Sequence, residues 1–205
     1  DVMIVNTCGF IEDAKREAID TILEVAQYKE AGLISAIVVT GCLAERYQDE
    51  ILKEMPEVDA VIGIGANSNI VKVCDKALCG IKTSNFPNKC YLPLDDERML
   101  STPPHWAYLK IAEGCDNRCA YCAIPGIRGD FRSRTIESVV EEAKSLVNRG
   151  VKEIILVAQD TTKYGQDLYG EYSLDRLLKE LVKIDGLEWI RLFYCYPQRI
   201  TDSLI

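Results

Sequence analysis

Cys115, Cys119 and Cys122 stand in the run Gly114-Cys115-Asp116-Asn117-Arg118-Cys119-Ala120-Tyr121-Cys122, a Cys-x3-Cys-x2-Cys spacing. Thiolates this close along the chain can wrap a single iron–sulfur cluster. Three protein ligands for a four-iron cube leave one iron open to a substrate or cofactor, much as a catalytic zinc site keeps an open position. The alternative is a zinc knuckle completed by His105 or another residue. Zinc sites usually pair one Cys-x2-Cys with a second, and no second pair follows here, so the spacing favours iron and sulfide.

Two further cysteines share a matched setting. Val2 to Val5 and Ala36 to Val39 are short apolar runs with the look of buried strands, and each is followed three residues later by a cysteine, Cys8 and Cys42. Both should sit at the carboxyl edge of one parallel sheet, where open α/β folds place their ligands. A free cysteine is often a small buried hydrophobe, but the matched placement argues for a shared role. Cys74 and Cys79, on or beside a helix, read as packing residues, and Cys90 and Cys195 match no ligand pattern. Nine cysteines is a high and odd number, and their close spacing points to metal rather than to disulfides.

The elements that must position these thiols alternate along the chain. After the first strand, Ile11, Ala14, Ala18, Ile22, Val25 and Ala26 recur at helical spacing up to Gly32. The strand Ala36–Val39 precedes a helix over 45–55. Ala60–Ile62 is a third strand, and Ser68 or Asn69 can cap a helix running to Leu78. Residues 85–105 break the rhythm with four of the seven prolines and the acidic Asp95-Asp96-Glu97. Beyond them a strand over 107–112 leads into the cysteine loop. Thr135 then caps a helix with an apolar face of Ile136, Val139, Val140, Ala143, Leu146 and Val147. A strand over 153–158, a helix around Leu174 to Val182 and a strand over 189–194 complete the pattern. The fold class expected is α/β: an N-terminal parallel-sheet domain, then the first units of an incomplete (β/α) barrel. The boundaries predicted are 1–92, a linker over 93–104, and 105–205.

Of the 205 residues 48% are hydrophobic and 27% charged, which suits a globular protein and excludes a disordered tail or a collagen. A chain of this length can bury roughly 70% of its unfolded surface. No run of 18 apolar residues is present to span a membrane. The net charge of −8 makes non-specific nucleic-acid binding by this segment unexpected. Strand-like residues begin at Val2, and the helix start at Thr201-Asp202 is followed by only three residues. The chain therefore reads as a piece of a longer protein.

The Cys-x3-Cys-x-aromatic-Cys pattern, with Tyr121 as the aromatic and a strand before it, resembles the radical S-adenosylmethionine (SAM) enzymes. The resemblance implies that Cys115, Cys119 and Cys122 hold a catalytic [4Fe-4S] cluster whose free iron binds SAM. Asn6-Thr7-Cys8 and Thr40-Gly41-Cys42 extend the likeness to the radical SAM methylthiotransferases. In that family an N-terminal domain binds a second, auxiliary [4Fe-4S] cluster through three cysteines. Cys8 and Cys42 match the second and third of these ligands, and the first would precede this chain. Ala112 to Cys119, Ile124 to Arg134, Ala158 to Gly165 and Tyr194 to Pro197 look most like the branch that acts on a ribosomal protein, with the tRNA branch as runner-up. The implied reaction is methylthiolation at the β-carbon of an aspartate in ribosomal protein uS12. It would take place in the cytoplasm, with an external electron donor.

Other residues are weighed beside that resemblance. Arg128, Arg132 and Arg134 form a candidate positive patch near the cysteines. Their guanidinium forks suit a carboxylate of substrate or cofactor, with Arg132 as the cofactor candidate. Gln159, Asp160 and Thr161 follow a barrel strand, at the mouth where barrel active sites assemble. They are candidates for the methionine or ribose end of SAM, or else for simple turn capping. His105, the only histidine, reads as a surface residue without acid–base work. Gly63-Ile64-Gly65 reads as a turn, and Tyr164, Tyr169 and Tyr172 as cover for the barrel rim or a helix.

Overall fold

A computed structural model describes residues 1–89 and 98–205. Within these the chain divides into two compact units, 1–89 with 118–129 and 98–117 with 130–205. Cys90 and the acidic run at 95–97 lie outside the described residues.

The first unit is built on a parallel sheet whose strand order follows the chain: β1 (Val2–Thr7), β2 (Ala36–Gly41), β3 (Ala60–Ile62) and β4 (Thr83–Asn85). Every residue of β2 is buried. Side chains alternate across a strand, so β2 serves two cores. Ile37 and Val39 join Ala18, Ile22 and Val25 of α1 (Glu12–Glu30) on one face. Ala36 and Val38 join Val73 and Ala77 of α4 (Ile70–Leu78) on the other. β4 has no apolar signature. Its Thr-Ser-Asn sequence becomes a strand because β3 pairs with it, Ala60 opposite Thr83.

The helix expected over 45–55 is two helices, α2 (Cys42–Tyr47) and α3 (Asp49–Glu54), separated by Gln48 at φ +48°. The break lets Ile51 join Leu43 and Ala44 in one core. Nothing in the local sequence announces it, since a positive φ ordinarily calls for glycine. Gln48→Gly is therefore expected to stabilise the protein by about 1 kcal/mol, read as a higher urea midpoint. Gly63 has a packing reason. A Cβ there would strike the carboxylate of buried Glu45, which accepts from the Ile64 amide at 3.0 Å and pairs with Lys89 at 3.2 Å. The short helix α5 (Ile124–Arg128) also belongs to this unit and packs on α2.

In the second unit β5 (Trp106–Lys110), β8 (Glu153–Val157) and β9 (Trp189–Leu192) form a parallel sheet in the order β5-β8-β9. The helices between them, α6 (Ile136–Asn148) and α8 (Leu174–Leu181), pack Val139, Ala143, Leu177 and Leu181 against Leu109, Ile154 and Leu156. Thr135 caps α6 as its position predicts, its hydroxyl accepting from the Ser138 amide at 3.2 Å. A four-residue helix, α7 (Gln166–Tyr169), precedes α8.

The strand expected over 107–112 stops at Lys110. Beyond Ile111 the chain makes a separate two-residue strand, β6 (Ala112–Glu113), antiparallel to β7 (Arg132–Ser133). This small pair closes the base of the cysteine loop. Tyr164 is wholly buried in the core rather than at a rim, and its hydroxyl donates to the Arg134 carbonyl at 2.7 Å. Burial pushes its phenol far above the ordinary tyrosine range, so it stays neutral. No helix among the described residues is long and apolar enough to cross a membrane.

Candidate functional site

Gly114, at φ +77°, turns the chain out of β6 and into the loop, and Cys115 follows in the second unit. Cys119 and Cys122 belong to the first unit and are joined by a turn in which the Cys122 amide donates to the Cys119 carbonyl at 3.0 Å. Arg118, directly before Cys119, is at φ +50°, a conformation uncommon in a non-glycine residue. All three thiols are half-buried. Tyr121 projects outward, 92% exposed.

The loop is moored where it leaves β6. Asp116 is ion-paired with Lys163. The Asn117 amide donates to the Asp160 carboxylate at 3.4 Å and accepts from Arg199 at 3.5 Å. Asp160 has no exposed surface, accepts from the Thr162 hydroxyl at 2.7 Å and is ion-paired with Arg199. The Thr161 hydroxyl donates to the Phe193 carbonyl at 2.7 Å, tying the end of β8 to the end of β9. Asp160 and Thr161 are thus committed to protein partners rather than offered to a ligand, and neither caps the short turn that follows. Of the three residues named at this strand end, half-buried Gln159 has surface to offer. Arg199, Lys163 and Asn117 were not singled out by motif. Asn117 alone carried a local signal, its position between two cysteines.

Arg128, Arg132 and Arg134 differ in burial and in partners. Arg134, with 2% of its side chain exposed, pairs with Glu142 and donates to the Lys110 carbonyl at 3.0 Å. It is a core residue. Arg132 lies on β7, half-buried, and donates to the Asp130 carbonyl at 3.2 Å. Arg128, at the end of α5, donates to the Cys42 sulfur at 3.1 Å.

Thr7 and Gly41 are register partners, so Cys8 and Cys42 follow side by side at the carboxyl ends of β1 and β2. The approach is close. A Cβ on Gly41 would strike the Thr7 backbone, and one on Gly9 would come within 2.9 Å of the Leu43 backbone. Cys8 is exposed and Cys42 buried. Cys74 is half-buried beside the outer core, where burial raises its thiol pKa, whereas Cys79 is exposed rather than packed. His105 is on the surface as expected.

The donor sets suit iron–sulfur chemistry: three thiols on one short loop, and two more at a shared sheet edge with glycines that let them approach. Among the described residues no three His, Cys, Asp or Glu side chains converge closely enough to hold a metal ion.

Comparison with known proteins assigns both parts. Residues 109–202 match the radical SAM superfamily, and residues 1–63 match the uncharacterized protein family UPF0004. The two matches fall one after the other along the chain, the UPF0004 match first. Along its whole length it is 62% identical to ribosomal protein uS12 methylthiotransferase RimO of Desulforamulus reducens and 53% identical to RimO of Lachnoclostridium phytofermentans. It spans about half the length of these relatives, 47% of each. The radical SAM methyltransferase TsrM of Kitasatospora setae shares the fold over 99% of this chain and 45% of its own, with a TM-score of 0.64 at 14% identity. The strands β8 and β9 and the helices α6 and α8 lie within the residues that match the radical SAM superfamily.

Proposed function

We propose that the protein containing this chain is a radical SAM methylthiotransferase that modifies an aspartate β-carbon of ribosomal protein uS12. The observation that carries the reading is the three-thiol loop, rooted in the β6–β7 pair of a radical SAM segment and moored to the ends of β8 and β9. Similarity to uS12 methylthiotransferases along the entire chain supports the substrate. The charge of −8 agrees with a basic ribosomal partner over an RNA one.

In this reading Cys115, Cys119 and Cys122 hold one [4Fe-4S] cluster, and Cys8 and Cys42 supply two ligands to a second. When bound, a reduced cluster with SAM on its open iron supplies abstraction of a hydrogen atom from a carbon that acid–base chemistry cannot deprotonate at neutral pH. The chain's own residues do the positioning. Asp116 and Asn117 fix the start of the loop, and Gln159, Tyr121 and Arg132 are the residues that would be offered to the cofactor. The reading also assigns domains 1–92 and 105–205 joined by 93–104, an external electron donor and a cytoplasmic location.

The test uses the full-length protein, reconstituted without oxygen and supplied with SAM, reductant, and either uS12 or unmodified tRNA. A methylthio group on one aspartyl peptide is the expected result. An adduct on tRNA instead would overturn the substrate and keep the enzyme class.

A further inference from the structure

The Arg128–Cys42 contact joins two segments 86 positions apart. Arg128 ends α5, the helix that the chain enters directly after Cys122, and Cys42 opens α2. The two helices pack together within the first unit. The contact has a second support, because the Lys89 ammonium donates to the Gly126 carbonyl of α5 and pairs with Glu45 of α2. Cys42 is buried and Arg128 partly so, which means that the N–H to sulfur contact is made away from bulk water. A guanidinium at 3.1 Å from a sulfur is a directed donor, and the planar fork is held by the helix that carries it.

From this we infer that Arg128 is a positioning residue for the auxiliary cluster. It donates to the sulfur of the ligand Cys42 and links that ligand to the chain leaving the radical-cluster cysteines. The inference rests on the reading of Cys42 as a cluster ligand. Hydrogen bonds and positive charge at a ligand sulfur draw electron density from it and favour the reduced, more negative cluster, which raises the reduction potential. A residue fixed to the backbone just beyond Cys122 therefore sets the electronic state of the second cluster, and α5 becomes the element through which the two cysteine sets feel each other.

The experiment uses the full-length protein in which Cys115, Cys119 and Cys122 are all Ala, so that the auxiliary cluster is observed alone. Iron content, the electron paramagnetic resonance spectrum of the reduced cluster and its midpoint potential are compared for Arg128, Arg128→Lys and Arg128→Met. The expected result is a midpoint shifted downward and a changed spectrum in Arg128→Met, with Arg128→Lys between, since Lys keeps the charge and loses the fork. A potential and spectrum unchanged in folded Arg128→Met overturn the inference. Should Arg128→Met fail to fold, Arg128→Lys decides by the same two readouts. Failure of the underlying reading has a separate signature: Cys42→Ala in the same background would keep its full iron content.

Discussion

Replacing any one of Cys115, Cys119 and Cys122 with Ala in the full-length protein is expected to remove about four irons per chain and to reduce SAM cleavage to background. In the proposed reading each thiol would be one of three protein donors, and a cube with two of them would have a second iron open to solvent, so the loss should be all-or-none rather than graded. 5′-Deoxyadenosine formation and iron content are the two measurements. Cys74→Ala is the control, because Cys74 lies at the edge of the outer core and its loss should leave the iron in place. Normal 5′-deoxyadenosine formation by a loop-cysteine variant would sink the assignment. The effect should also be separable from folding. The loop is irregular and its three thiols are half-buried, so their removal leaves no large cavity.

Arg134→Ala is expected to have the largest effect on stability of any single arginine substitution, about 3–5 kcal/mol. The guanidinium is nearly inaccessible, pairs with Glu142, and donates to Lys110 and to the hydroxyl and carbonyl of Ser138. Truncation leaves the Lys110 and Ser138 carbonyls short of a donor and opens space beneath α6. Glu142 keeps a second partner, Arg98 at 3.1 Å, which sets the upper end of the cost. Arg134→Lys should recover only part of it, because an ammonium cannot reproduce a fork that reaches three residues. Urea denaturation checks both variants, and a loss within about 0.5 kcal/mol, the range of an ordinary surface change, would show the network to be idle.

Periodicity and spacing are local, and whatever depended on them could be read from the residues alone. The apolar run of β2, the apolar face and Thr135 cap of α6, and the placement of Cys8 and Cys42 at one sheet edge are each written in a short stretch of chain. The Cys-x3-Cys-x2-Cys spacing is local in the same way, since a cluster ligand set can be contained in one short stretch of chain. Side-chain partners are not local. Arg128, Arg132 and Arg134 look equivalent as a sequence, yet one meets a sulfur 86 positions away, one a neighbouring carbonyl and one a half-buried carboxylate.

The same reason explains the other departures. Asp160 and Thr161 read as ligand-facing, but Arg199 and the Phe193 carbonyl occupy them from more than 30 residues downstream. β4 and the β6–β7 pair are strands only because a neighbour completes their hydrogen bonds, and Gln48 takes a positive φ that packing imposes on it. By itself, then, the sequence determined the main alternation of strands and helices and the sheet edge that carries Cys8 and Cys42, since each is encoded within a few residues. Only the tertiary structure decided which polar groups pair with one another across the fold. A buried charge takes whichever partner the fold delivers, and that partner's distance along the chain leaves no mark in the local pattern.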